Sequence, residues 1–212
     1  RNSGIFRMLG GQSVVGNFGN LFQEAGTFQQ TANNTYHFTG AVRLNGGSLN
    51  TADSIVIGQR IGKFSIGDSL ILSGGNLVNR ALITQKAGNF VVEKGNYSIE
   101  TINKENGTLS NAGTLSITNF NQSNGTTANS GNLSIGNSNL GGSLNNTGTL
   151  TLTGDVISRG NLTNNGNLNN RGNWTETNRF TIAGNLNNSG FANFQNGFQF
   201  GNGRPVSYTH LR

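Results

Sequence analysis

From Gly142 onward the chain divides without a gap into nine hexads: GSLNNT, GTLTLT, GDVISR, GNLTNN, GNLNNR, GNWTET, NRFTIA, GNLNNS and GFANFQ. The third position of each is apolar: Leu144, Leu150, Val156, Leu162, Leu168, Trp174, Phe180, Leu186 and Ala192. Around it apolar and polar residues alternate, so that Leu150 and Leu152 are flanked by Thr149, Thr151 and Thr153. A period of two predicts short strands with one buried face. Three hexads make about 18 residues, close to one coil of a triangular solenoid of parallel strands. The spacing therefore predicts three interior stacks: Leu144 with Leu162 and Phe180, Leu150 with Leu168 and Leu186, and Val156 with Trp174 and Ala192.

The polar positions carry the same period. Gly148, Gly166 and Gly184 fall in one column, and Gly154, Gly172 and Gly190 in another. Glycine and asparagine tolerate left-handed backbone, so both are expected where the chain turns from one face to the next. Residues one coil apart lie about 4.8 Å apart, which lets stacked asparagines hydrogen-bond along the axis. Asn146 with Asn164, and Asn170 with Asn188, are the candidate pairs. At Trp174 the expected role is filling the core beside Val156 and Ala192.

Upstream the unit continues with looser spacing. "NAGTLSI" (111–117), "NSGNLSI" (129–135) and "NTGTLTL" (146–152) repeat, and "GGSLNTADSIVIG" (46–58) and "GGNLVNRALIT" (74–84) are longer versions. Varying loops between coils explain such spacing. The expected organisation is an irregular start over 1–40, a loosely spaced solenoid over 41–105 and a regular one over 106–204. Coils of about 18–22 residues would give roughly ten coils, a rod on the order of 50 Å. The last residues, "VSYTHLR", abandon the pattern and resemble a translated sequencing-library adapter, so 205–212 are expected to be non-native and the chain to be an internal fragment.

Composition changes the picture in one respect. Low hydrophobicity, 33%, suggests disorder, but disordered chains are also rich in charge and proline. Here charged residues make up 10% and there is one proline, against 33 glycines and 37 asparagines. That is an uncharged, turn-rich β protein. The net charge of +6 is spread along the chain rather than gathered into a stripe with aromatics, so no nucleic-acid partner is expected. There is no cysteine, which excludes disulfides and thiolate metal sites.

Candidate chemistry is sparse, and neither catalytic residues, a metal site nor a cofactor is expected. His37 lies in the alternating "YHFTGAVRL" with no serine elbow or carboxylate near it in sequence, and reads as an outward strand residue. Asp155 and Glu176 occupy different hexad positions and need not converge as a glycosidase pair would. "GQRIGKF" (58–64) is one residue short of a phosphate-binding loop, and Phe64 stands where Ser or Thr should bind magnesium.

Repeats such as "NNTGTLTLTG", "NNGNLNNRGNW" and "AGNLNNSG" resemble the Asn/Gly-rich passenger regions of bacterial autotransporters and haemagglutinin-like exoproteins, including the vacuolating-cytotoxin-like subgroup. The resemblance covers about 40–204, most clearly 106–195. It implies a right-handed β-helix, secreted and displayed on the cell surface by a membrane barrel outside this segment. The implied function is adhesion or aggregation through polar repeated faces, with host-cell or matrix glycans or proteins, or a second rod, as partners. Weak repeated contacts would gain strength from avidity, and the positive charge would attract acidic polymers. Two alternatives stay open: a passenger segment of a pore-forming or vacuolating toxin, and a polysaccharide-degrading or phage-tailspike β-helix.

Overall fold

A computed structural model describes residues 5–7, 15–30, 35–51, 55–59, 64–79, 82–178, 180–196 and 198–200. Within them every strand pairing is parallel, there is no helix, and the strands stack as a β-solenoid of about nine turns. The expected tail, 205–212, lies outside the described residues, as do 1–4, 8–14 and 31–34 of the irregular start.

Each regular coil is built from the alternation noted above. A four-residue strand buries its second and fourth side chains and exposes the others, as in Thr149–Leu152 and Asn161–Asn164. Three such strands make one coil. The first belongs to a ten-stranded sheet, face I. The other two belong to a fourteen-stranded sheet, where they form two halves, faces II and III. The halves are continuous in the nine-residue strands Asn96–Lys104, Thr114–Gln122 and Asn132–Leu140. In later coils they separate, as in Asn167–Asn170 and Asn173–Glu176.

Registers on face I measure the coil. Leu21 pairs with Val42, Val42 with Leu70, Leu70 with Phe90 and Phe90 with Leu109. From there the partners are Thr127, Leu144, Leu162 and Phe180, at 17 or 18 residues per step. Before Ser69 the coils are longer and less uniform. A separate four-stranded sheet contains Thr27–Gln30, Ser48–Thr51 and Asn76–Asn79, which follow face I strands in the chain. One coil also places two strands on face III, Ile55–Ile57 and Phe64–Ile66, in reversed order: Phe64–Ile66 pairs with Thr35–Phe38 below, and Ile55–Ile57 with Leu82–Gln85 above.

The core is a single column of side chains along the axis. In the regular coils it is mostly Leu and Ile, with Trp174 wholly buried edge-on against Phe180 and Phe194 at centroid distances of 5.0 and 4.9 Å. In the early coils a cluster of aromatic rings joins the aliphatic core: Phe18, Phe28, Tyr36, Phe38 and Phe64 pack ring on ring at 5.3–6.4 Å.

Candidate functional site

Inward positions first. Leu144 pairs in register with Leu162 and Leu162 with Phe180; Leu150 with Leu168 and Leu168 with Leu186; Val156 with Trp174 and Trp174 with Ala192. All nine are buried. The asparagines Asn146 and Asn164 are buried too, at the end of their strands on face I. Asn146 Nδ2 donates to Asn164 Oδ1 at 2.6 Å, and the column extends back through Asn129 to Asn111 at 2.7 Å per step. The same Asn146 amide reaches Gly148 O and Asn167 O, both at 3.1 Å. Corner carbonyls, Gly148 O among them already accepting from Asn167 N, thus gain a second donor from inside, and the buried amides find partners there, which is why a polar column is tolerated in the core. Asn170 and Asn188 form a second buried pair at 2.7 Å on face II.

The glycine columns occur where expected, for a different reason. Among the described residues positive φ is confined to glycines at or before Gly125, so none of Gly148, Gly154, Gly166, Gly172, Gly184 and Gly190 adopts left-handed backbone, and no asparagine does. What demands glycine is the neighbouring coil. A Cβ on Gly166 would lie 2.1 Å from Gly148 O, and one on Gly184 2.0 Å from Gly166 O. In the other column, Gly172 and Gly190 would each meet the preceding glycine's carbonyl at 2.1 Å.

A third buried column, not visible in the sequence pattern, runs up the far end of face III and is polar except at Leu140: Gln85, Lys104, Gln122, Leu140, Ser158 and Glu176. Gln85 and Gln122 each donate to two corner carbonyls at 2.8–3.2 Å. Lys104 takes the place of a glutamine between them, its Nζ donating to Asn124 O at 2.9 Å. Burial pushes its ammonium down to about 8. Glu176 Oε1 accepts from the Asn178 amide at 3.2 Å, while Oε2 has no partner. Burial, only partly offset by bonds from Ser158 and Asn178, raises this carboxyl to about 7.

For catalysis the groups scatter. Asp155 is exposed and Glu176 buried, on opposite sides of the sheet. His37 does gain a serine: Nδ1 lies 2.5 Å from Ser65 Oγ. The two are 28 residues apart in sequence, so only the stacking of coils brings them together. Ser65 is only 1% exposed, which denies a substrate access to its hydroxyl. No cluster of His, Cys, Asp or Glu suited to a metal occurs among the described residues.

What the rod offers solvent is ordered polarity. On face II one outward column reads Ser98, Ser116, Ser134, Thr151, Asn169 and Asn187, with no charge in it. Its last two carboxamides are bonded at 2.9 Å, as are Asn167 and Asn185 beside them. On face III, Asn121 Nδ2 donates to Asn103 Oδ1 at 3.1 Å and Asn173 Nδ2 to Asp155 Oδ1 at 2.8 Å. Comparison with protein-family models, curated proteins and solved structures returned no match.

Proposed function

We propose that this chain is a β-helical rod of a secreted, surface-displayed protein, acting in adhesion or aggregation through its repeated polar faces. The observation that carries the reading is the uncharged outward column on face II, which presents hydroxyl and amide groups at one per coil from Ser98 to Asn187. Rows of uncharged donors and acceptors at a fixed rise suit a partner that is itself repetitive, with many weak contacts adding up. The partners proposed are host-cell or matrix glycans or proteins, or a second rod.

Beads coated with the purified chain test it. Adhesion to epithelial cells or matrix, or bead clumping, is expected to rise steeply with coating density. Beads that neither bind nor clump at any density would overturn the reading.

A further inference from the structure

We propose that face III carries a binding site for a neutral, extended glycan chain lying along the rod axis. The proposal rests on the adhesive reading above and gives it a place and a ligand class.

Two outward columns define the site. The first contains Asn119, Asn137 and Asp155, and the second Asn121, Asn139 and Ile157. Together with Thr101 they line a shallow groove of about 450 Å³. Two coils beyond Asp155 the first column ends on Phe191, in register through Asn173. Phe191 is 48% exposed, the most exposed large apolar side chain among the described residues. An exposed ring aligned with a carboxamide array is a combination that sequence periodicity alone does not require.

Chemistry narrows the occupant. A carboxamide offers donors and acceptors together, and a sugar hydroxyl is the group that answers both. The amides are held in place: Asn121 is bonded to Asn103, Asn139 Oδ1 accepts from Arg159 at 2.8 Å, and Asn137 Oδ1 accepts from the Asp155 amide at 3.0 Å. Fixing them beforehand lowers the entropy lost on binding. Ile157 and Phe191 supply apolar surface for the C–H faces of a pyranose ring. Asp155 and Arg159 bring opposite charges to this groove, so its net charge selects neither an acidic nor a basic polymer. A peptide adding a strand is disfavoured as well, because these backbone groups are already paired with the coils on either side. Extended β-linked glycans repeat at close to the strand spacing, so successive sugars meet successive coils.

The test is calorimetric titration of the full chain with neutral β-1,4-glucan oligosaccharides from dimer to hexamer. Affinity should rise with length. It should fall at least tenfold in a variant with Asn119→Ala, Asn121→Ala, Asn137→Ala and Asn139→Ala, and several-fold in Phe191→Ala, with Phe191→Tyr retaining it. Asn169→Ala with Asn187→Ala, on face II, should leave it unchanged. Far-ultraviolet circular dichroism checks that each variant keeps its fold. No binding by the unaltered chain, or binding that survives both face III variants, overturns the proposal. Bead adhesion by the same proteins separates the two readings: adhesion without oligosaccharide binding removes the site and keeps the adhesive rod. Oligosaccharide binding without adhesion does the reverse.

Discussion

Coils before and after Gly125 solve the same problem differently. In the earlier part the distance between stacked residues varies from 28 for Val42 to Leu70 down to 19 for Phe90 to Leu109, and every glycine with positive φ falls here, from Gly26 to Gly125. In the later part it holds at 17 or 18, and no described residue adopts positive φ. Interiors differ in step with this. The early coils fill an uneven channel with aromatic rings meeting at many angles, while the later coils rest on aliphatic columns such as Leu150, Leu168 and Leu186, with one aromatic cluster at Trp174, Phe180 and Phe194. Strict repetition is what lets like polar residues bond to one another in a ladder through the core. A carboxamide ladder forms only where an adjacent coil presents a mate at the right height, and a constant coil length provides that. Where coil length varies, buried polar residues such as Gln23 and Gln85 bond corner carbonyls without forming a ladder.

The largest expected effect tests the close stacking of the regular coils. Gly166→Val would drive side-chain atoms into the Gly148 carbonyl and should cost about 4 kcal/mol or more by urea denaturation, the size expected of severe overpacking. Gly19, with nothing within 4 Å of its Cβ position, should tolerate alanine within about 0.5 kcal/mol. Equal losses at the two positions would mean that stacking does not set the glycine requirement.

Next comes the ladder. Asn146→Ala removes the side-chain donor to the Gly148 and Asn167 carbonyls and to Asn164 Oδ1, and the acceptor of Asn129 Nδ2, and should cost on the order of 3 kcal/mol. Asn169→Ala, at an outward position of the same type of strand, should cost less than about 1 kcal/mol.

One polar column crosses both regions and carries opposite charges in them, which gives a pH prediction. Glu176 is raised from 4.5 to about 7 in the fold, so the folded state holds a proton that the unfolded chain releases above 4.5. Its stability contribution is complete below 4.5 and is lost as pH rises to 7, on the order of 3 kcal/mol, and Glu176→Gln should flatten that slope. Lys104 is lowered from 10.5 to about 8, so stability should rise between 8 and 10.5, and Lys104→Gln should remove this limb. Between 7 and 8 both groups are charged, and unfolding free energy should pass through its minimum there. A maximum in that window would contradict both assignments.

The smallest effect is expected of the surface ion pair between Arg43 and Glu93, which spans the early coils at 2.6 Å. Both side chains are partly exposed, so Arg43→Ala should cost about 0.5 kcal/mol and less in high salt.

The interior of the later coils was legible because its period is short and unbroken: a third-position residue every six places admits one register. Asn146 and Asn164 were legible as a pair from the same spacing. The glycine columns were legible in position but not in cause, since left-handed turns and tight stacking select the same residue. Hidden altogether were the Gln85–Lys104–Gln122 column, the Ser65 beside His37, and the reversed order of Ile55–Ile57 and Phe64–Ile66. In those places the loops between coils change length, and spacing no longer tells which residues share a level.

By itself, then, the sequence determined the class of fold, the strand alternation and the stacks of the regular coils, because those follow from local periods of two, six and eighteen. Tertiary structure decided which polar residues of the uneven coils end inside, how those coils fit onto one another, and that Ser65 stands beside His37. Those outcomes depend on contacts between residues a coil or more apart. Such contacts exist only once the coils are laid one on another.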